Sequence, residues 1–190
     1  MDLRGYDAGM KTVCRGLLLF VVVSVVVSVF VPVLLPSFAS AQQPLQGPLL
    51  DRMVGSWILH GTIEGRETIH DVTAEWILRR EYVQLHEVSR EKDAKGQPQY
   101  EAFVLMQWNS KSNDYACQWL DSTEGGGLSV PAAPGKRDGD KIAFLFKGRD
   151  GSQFHTTFVY NSAADTWQWI MDGEENGKLK PFARLELKRK

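Results

Sequence analysis

The 190-residue chain is poor in cysteine, with Cys14 and Cys117 only. That excludes a disulfide scaffold and a four-cysteine zinc site. It has no surplus of either charge, with 22 Lys+Arg against 23 Asp+Glu and a net charge of −1. Without a basic footprint it is not a dedicated nucleic-acid binder. It also lacks a P-loop, a G-x-S-x-G elbow, an H-E-x-x-H pair and an EF-hand loop, so no catalytic or metal motif assigns a reaction. Long apolar runs are scarce too. There is one, over residues 17–35.

That run defines the N-terminal segment. Lys11 and Arg15 precede it, and Pro36-Ser37-Phe38 and the triplet Ala39-Ser40-Ala41 follow. A basic lead, an apolar stretch and a small-residue site read as a secretory signal over 1–41, cleaved before Gln42. Asp2 and Asp7 are foreign to a basic lead, and Met10-Lys11 is the more usual opening. The alternative is an uncleaved anchor, since about 20 apolar residues span a bilayer. Pro32, Pro36 and the A-x-A triplet favour cleavage, and either topology exports residues 42–190. Losing Arg4, Lys11, Arg15, Asp2 and Asp7 leaves 19 basic and 21 acidic residues. Cys117 alone remains, so the exported part (periplasmic or extracellular, with no membrane contact after cleavage) is held by its core. Residues 42–53 read as a linker and one helical turn, Leu49–Val54, ahead of a β domain over 54–190.

From there strand signals dominate. Segments rich in Val, Ile, Thr, Tyr, Phe and Trp alternate with period two: Trp57–Ile63, Thr68–Leu78, Tyr82–Arg90, Tyr100–Trp108, Tyr115–Asp121, Leu128–Ala132, Lys141–Lys147, Gln153–Tyr160, Thr166–Met171 and Phe182–Lys188. Turn chemistry separates them at Glu64-Gly65, Lys95-Gly96, Asn109-Ser110, Asp138-Gly139, Asp150-Gly151, Asp172-Gly173 and Asn176-Gly177. Gly125-Gly126-Gly127 reads as a further turn or bulge. About ten short strands without covering helices imply antiparallel pairing in a sheet that hides its edges by closing. The expected fold is all-β: a closed antiparallel up-and-down barrel, its interior filled by side chains or left as a cavity.

The histidines His60, His70, His86 and His155 fall on four strands without ligand spacing, so no metal site is expected. Cys117 shares parity with Tyr115 and Trp119 and reads as a small buried hydrophobe. The aromatics are the informative group. Phe144, Phe146, Phe154, Phe158, Tyr160, Trp167, Trp169, Tyr115 and Trp119 each share a face with another aromatic two residues away, and that face should point inward. They either pack a core or line a cavity for an apolar ligand. Thr156 and Asp121, at the same parity, tip the reading toward a cavity, since a solid core would have to satisfy them internally. The candidate ligand-contacting residues are Trp76, Tyr82, His86, Trp108, Trp119, Asp121, Phe144, Phe158, Tyr160, Trp169 and Arg184. On Tyr100–Trp108 one face carries Tyr100, Ala102, Val104, Met106 and Trp108, while Phe103 and Leu105 lie on the other. Apolar residues on both faces raise a homodimer as an expectation.

Leu49-Leu50-Asp51-Arg52-Met53-Val54-Gly55-Ser56-Trp57 resembles the start of lipocalin-like barrels, where a helical turn leads into a G-x-W strand. Thr73 through Val83, and Tyr115 through Ser122, resemble signatures of a family of uncharacterised exported bacterial proteins. That resemblance implies a closed barrel and carries no established activity. It also implies that Trp57 plugs one barrel end against Arg184 or Arg189. The last strand is similar, more distantly, to that of nitrobindin-type heme barrels. Phe182 stands where their iron-binding histidine would be, so no heme is expected through that position, and no other cofactor is implied.

The expected function is binding of a small apolar, aromatic or lipid-like molecule inside an exported barrel. Two alternatives stand beside it. One is a barrel-cavity enzyme of isomerase or hydrolase type, using an acid/base pair from His86, Glu87, Asp121 or Arg184. The other is a cell-envelope interaction protein with a filled barrel.

Overall fold

The computed structural model describes residues 48–123 and 127–190. The segments read as signal (1–41) and linker (42–47) lie outside the described residues, as do positions 124–126 of the glycine-rich stretch. A helical turn, α1 (Pro48–Met53), precedes ten strands: β1 (Gly55–Ile63), β2 (Arg66–Ile77), β3 (Tyr82–Ser89), β4 (Glu101–Asn109), β5 (Asp114–Asp121), β6 (Ala133–Asp138), β7 (Lys141–Lys147), β8 (Gln153–Asn161), β9 (Thr166–Glu175) and β10 (Lys178–Arg189). Each strand pairs antiparallel with its sequence neighbours, and β10 returns to β1 to close the barrel. No helix among the described residues is long and apolar enough to cross a membrane.

The period-two pattern becomes an inside and an outside. On β3, Val83, Leu85, Glu87 and Ser89 are buried, while Tyr82, Gln84, His86 and Val88 lie on the other face. On β4 the buried residues are Ala102, Val104 and Met106. Closure gives every strand a neighbour on both sides, so each needs one apolar face only.

One end of the barrel is plugged. Leu49, Leu50 and Met53 of α1 are buried over the end of the core. Trp57 Nε1 donates to Met53 O (2.7 Å) and Trp167 Nε1 to Arg52 O (3.3 Å). The Arg189 guanidinium lies 3.7 Å from the Trp57 ring centroid and donates to Val54 O (2.6 Å) and Arg52 O (3.0 Å). Of the two arginines the resemblance offered, Arg189 is therefore the partner. Arg184 points outward.

The structure differs from the sequence reading in three elements. The expected strand Leu128–Ala132 is not one: Gly127–Ser129 form a single 3-10 turn, and the sixth strand is Ala133–Asp138. Pro134 and Gly135 disguise that strand, since both residues ordinarily weaken strands. Gly135 is there for space, because a Cβ at this position would sit 2.4 Å from Phe144 Cε1. Asp172-Gly173 is not a turn but lies within β9, and the hairpin turns at Asn176 (φ 52°) and Gly177 (φ 73°). Finally, Leu78, Arg79 and Arg80 between β2 and β3 all take left-handed φ angles, of 47°, 58° and 66°. Nothing in their side chains announces this, since such angles disfavour residues with a Cβ.

Candidate functional site

Among the described residues, the end of the barrel opposite α1 is open. There β5 pairs with β6 only through Tyr115, Ala116 and Cys117, so Gln118–Asp121 have a ladder partner on the β4 side alone. Of the residues that sequence periodicity offered as a strand beside them, Leu128 and Ser129 lie in the 3-10 turn and none pairs as a strand, and Gln118 Nε2 reaches that turn by donating to Gly127 O (2.9 Å). The incomplete wall opens onto a cavity of about 670 Å³. Small-molecule sites commonly span ~300–1,000 Å³.

The cavity is apolar inside and polar at its lip. Tyr100, Trp119, Phe146, Phe154, Met171 and Phe182 form its wall. Trp119 meets Trp169 at 5.5 Å and Phe146 at 6.3 Å between ring centroids, and Phe154 meets Phe182 edge-on at 5.2 Å. Phe182 belongs to this wall because the β9–β10 register shifts between Pro181 and Ala183. A bulge of this kind re-aims a side chain. Around the lip lie Gln118, Asp121, Thr123, Lys147, Arg149 and Ser152.

Beside the cavity runs a buried polar network that links β2, β3 and β5 with the residue just ahead of β4. His70 and Glu87 are 2 % exposed. His70 Nδ1 donates to Glu87 Oε1 at 2.5 Å, which leaves Nε2 to meet Thr68 Oγ1 at 2.7 Å. The His70 ring stacks on Tyr100 at 5.7 Å, and Trp119 Nε1 donates to the Tyr100 hydroxyl at 2.9 Å. Burial, and then the charge of Glu87, push the Tyr100 phenol well above its ordinary pKa. Among the described residues, Glu87 Oε2, Thr156 Oγ1, Tyr115 Oη and Trp169 Nε1 are buried side-chain atoms without a hydrogen-bond partner.

The expected site residues divide into four groups. Trp119 and Asp121 line the cavity. Phe144, Phe158 and Trp169 face inward but are at most 2 % exposed, and they fill the barrel beneath it. Tyr160 also faces inward, at the plugged end, donating to Asp165 Oδ1 (2.9 Å) and packing on Trp167. Trp76 and Trp108 line a separate cavity of about 290 Å³ at that same end, with Arg80 lying over Trp76. Tyr82, His86 and Arg184 are corrected, because their parity puts them on the outer face. His86 stacks on Phe103 (4.5 Å) and pairs with Glu101 (2.6 Å), and Arg184 pairs with Asp172 (2.5 Å).

His86 and Glu87 are adjacent on one strand and so cannot share a face. The interior partner of Glu87 is His70 from β2, a pairing that only register reveals. The other histidines also pair with a glutamate on a neighbouring strand, His60 with Glu186 and His155 with Glu174. Sequence reasoning missed Tyr100 and Phe182 as wall residues. Tyr100 had shown its parity with Trp108, whereas the bulge that turns Phe182 leaves no signal beyond Pro181. Cys117 is fully buried, and burial pushes its thiol pKa up, so it behaves as the small hydrophobe its neighbours imply. No family model matches the chain, and no curated protein matches it.

Proposed function

We propose that this chain is an exported, lipocalin-like barrel that binds a small apolar or amphipathic molecule in its open-end cavity. The observation that carries the reading is the cavity itself: about 670 Å³, walled by aromatics, with charged and amide groups confined to its lip. Pockets of that composition take the apolar body of a ligand inside and leave its orientation to a few polar groups. The plugged end supports the family reading, since α1, Trp57 and Arg189 stand as they do in lipocalin-like barrels. Export rests on the signal-like segment, and a mature N-terminus at Gln42 in secreted material would test it.

Binding is tested by titrating the protein with a panel of neutral aromatic and lipid-like compounds and reading thermal shift and tryptophan fluorescence. Trp119→Ala removes a wall residue and is expected to weaken binding at least tenfold with a modest loss of stability. Trp169→Ala removes a fully buried ring and is expected to lower stability by about 3–5 kcal/mol. No response from any compound would overturn the reading.

A further inference from the structure

We propose that the open-end cavity selects molecules carrying a neutral hydrogen-bond acceptor on an apolar body, and that the Tyr100 hydroxyl donates to that acceptor. The proposal rests on the small-molecule reading above and specifies its ligand.

Tyr100 has an unspent donor. Its oxygen accepts from Trp119 Nε1, while its own proton meets no acceptor among the described residues. The incoming N–H polarises the phenol, and hydrogen bonds in such chains strengthen one another. The ring is also held in place: His70 stacks on it, and Glu87 and Thr68 fix His70. The buried network thereby acquires a use, as the support that positions one donor at the cavity wall.

The surrounding field sets the charge of the acceptor. Burial and the negative charges of Glu87 and Asp121 raise the Tyr100 pKa, so the hydroxyl remains a neutral donor at physiological pH. A ligand group placed against that hydroxyl meets the same field. A carboxylate there would lose its water beside the buried Glu87, whereas a ketone, ester or amide oxygen carries no charge to repel. Lys147 and Arg149 carry the opposite charge but stand exposed at the lip, where solvent screens them, and the buried His70 is already paired with Glu87. The rest of the wall, Phe146, Phe154, Met171 and Phe182, has no polar side-chain group that could compete for the acceptor.

The test uses three probes of nearly equal shape: 2-acetylnaphthalene, 2-ethylnaphthalene and 2-naphthoate. Each is titrated calorimetrically into the full chain and its Tyr100→Phe variant at neutral pH. A net hydrogen bond is worth about 1 kcal/mol, so the acetyl compound should bind roughly fivefold or more tighter than the ethyl compound, with naphthoate below the acetyl compound. Tyr100→Phe should abolish the acetyl preference. Equal acetyl and ethyl affinities in the unmodified chain would overturn the Tyr100 proposal while leaving the cavity reading intact. So would a preference that survives the substitution, or naphthoate binding tightest. Binding of none of the three would overturn the cavity reading and this proposal together.

Discussion

Arg189 joins the plugged end of the barrel through one side chain. It covers the Trp57 ring, donates to two carbonyls at the end of α1 and pairs with Asp165 through Nε (2.9 Å). Removing Trp57, which is fully buried, should cost about 3–5 kcal/mol. Arg189→Ala should also lower the melting temperature, because the α1 carbonyls lose their donors. The Arg189 hydrogen bond holds the Asp165 carboxyl below the ordinary range. A carboxylate depressed in the folded state stabilises fully above its unfolded pKa of about 4 and loses that contribution as pH falls further. Melting temperatures at pH 7 and pH 3 should therefore converge between Arg189→Ala and the unmodified chain as the pH drops. An undiminished gap at pH 3 would show that the ion pair with Asp165 adds nothing. At this scale the sequence was half legible. The tryptophan was recognisable from its G-x-W context, but choosing Arg189 over Arg184 required knowing which parity of β10 faces inward.

Among the elements, strand periodicity was legible wherever both faces of a strand kept their pattern, as in β3, β4 and β7. It failed where covalent constraints broke the pattern. β6 carries Pro134 and Gly135 and looked like a loop, while Leu128–Ala132 alternates convincingly and yet forms no strand. That exchange matters for the site, since the missing ladder beside Gln118–Asp121 is what opens the wall. Parity within a strand was readable, but parity between strands was not. Hence His86 was grouped with Glu87, although the two lie on opposite faces and His70 is the true partner. The register makes two glycines testable. At Gly61 (φ 143°) a Cβ would sit 2.1 Å from the Arg184 carbonyl oxygen across the β1–β10 ladder. Backbone cannot yield there, so Gly61→Ala should abolish folding or nearly so. At Gly135 the obstacle is the Phe144 ring, and overpacking of this kind costs about 1–3 kcal/mol. Denaturant melts of both variants check the ranking, and a milder effect at Gly61 than at Gly135 would contradict the β1–β10 pairing.

At the largest scale, the described residues form a barrel closed at one end and hollow at the other. The question left by the sequence was whether its aromatics fill the interior or line it. They do both, by depth. Trp57, Trp167, Phe158, Phe144 and Trp169 pack solidly, and above them Trp119, Phe146, Phe154 and Phe182 border the cavity. Composition could supply the apolar residues but not that division, which depends on strand stagger, on one bulge and on a ladder that stops at Cys117. The central claim is that the open half holds a small molecule. Native mass spectrometry of the protein purified from its own host tests it most directly. A co-purifying mass is expected, lost on mild heating and reduced by Trp119→Ala. A bare chain mass, with no thermal shift across neutral aromatic and lipid-like compounds, would contradict it.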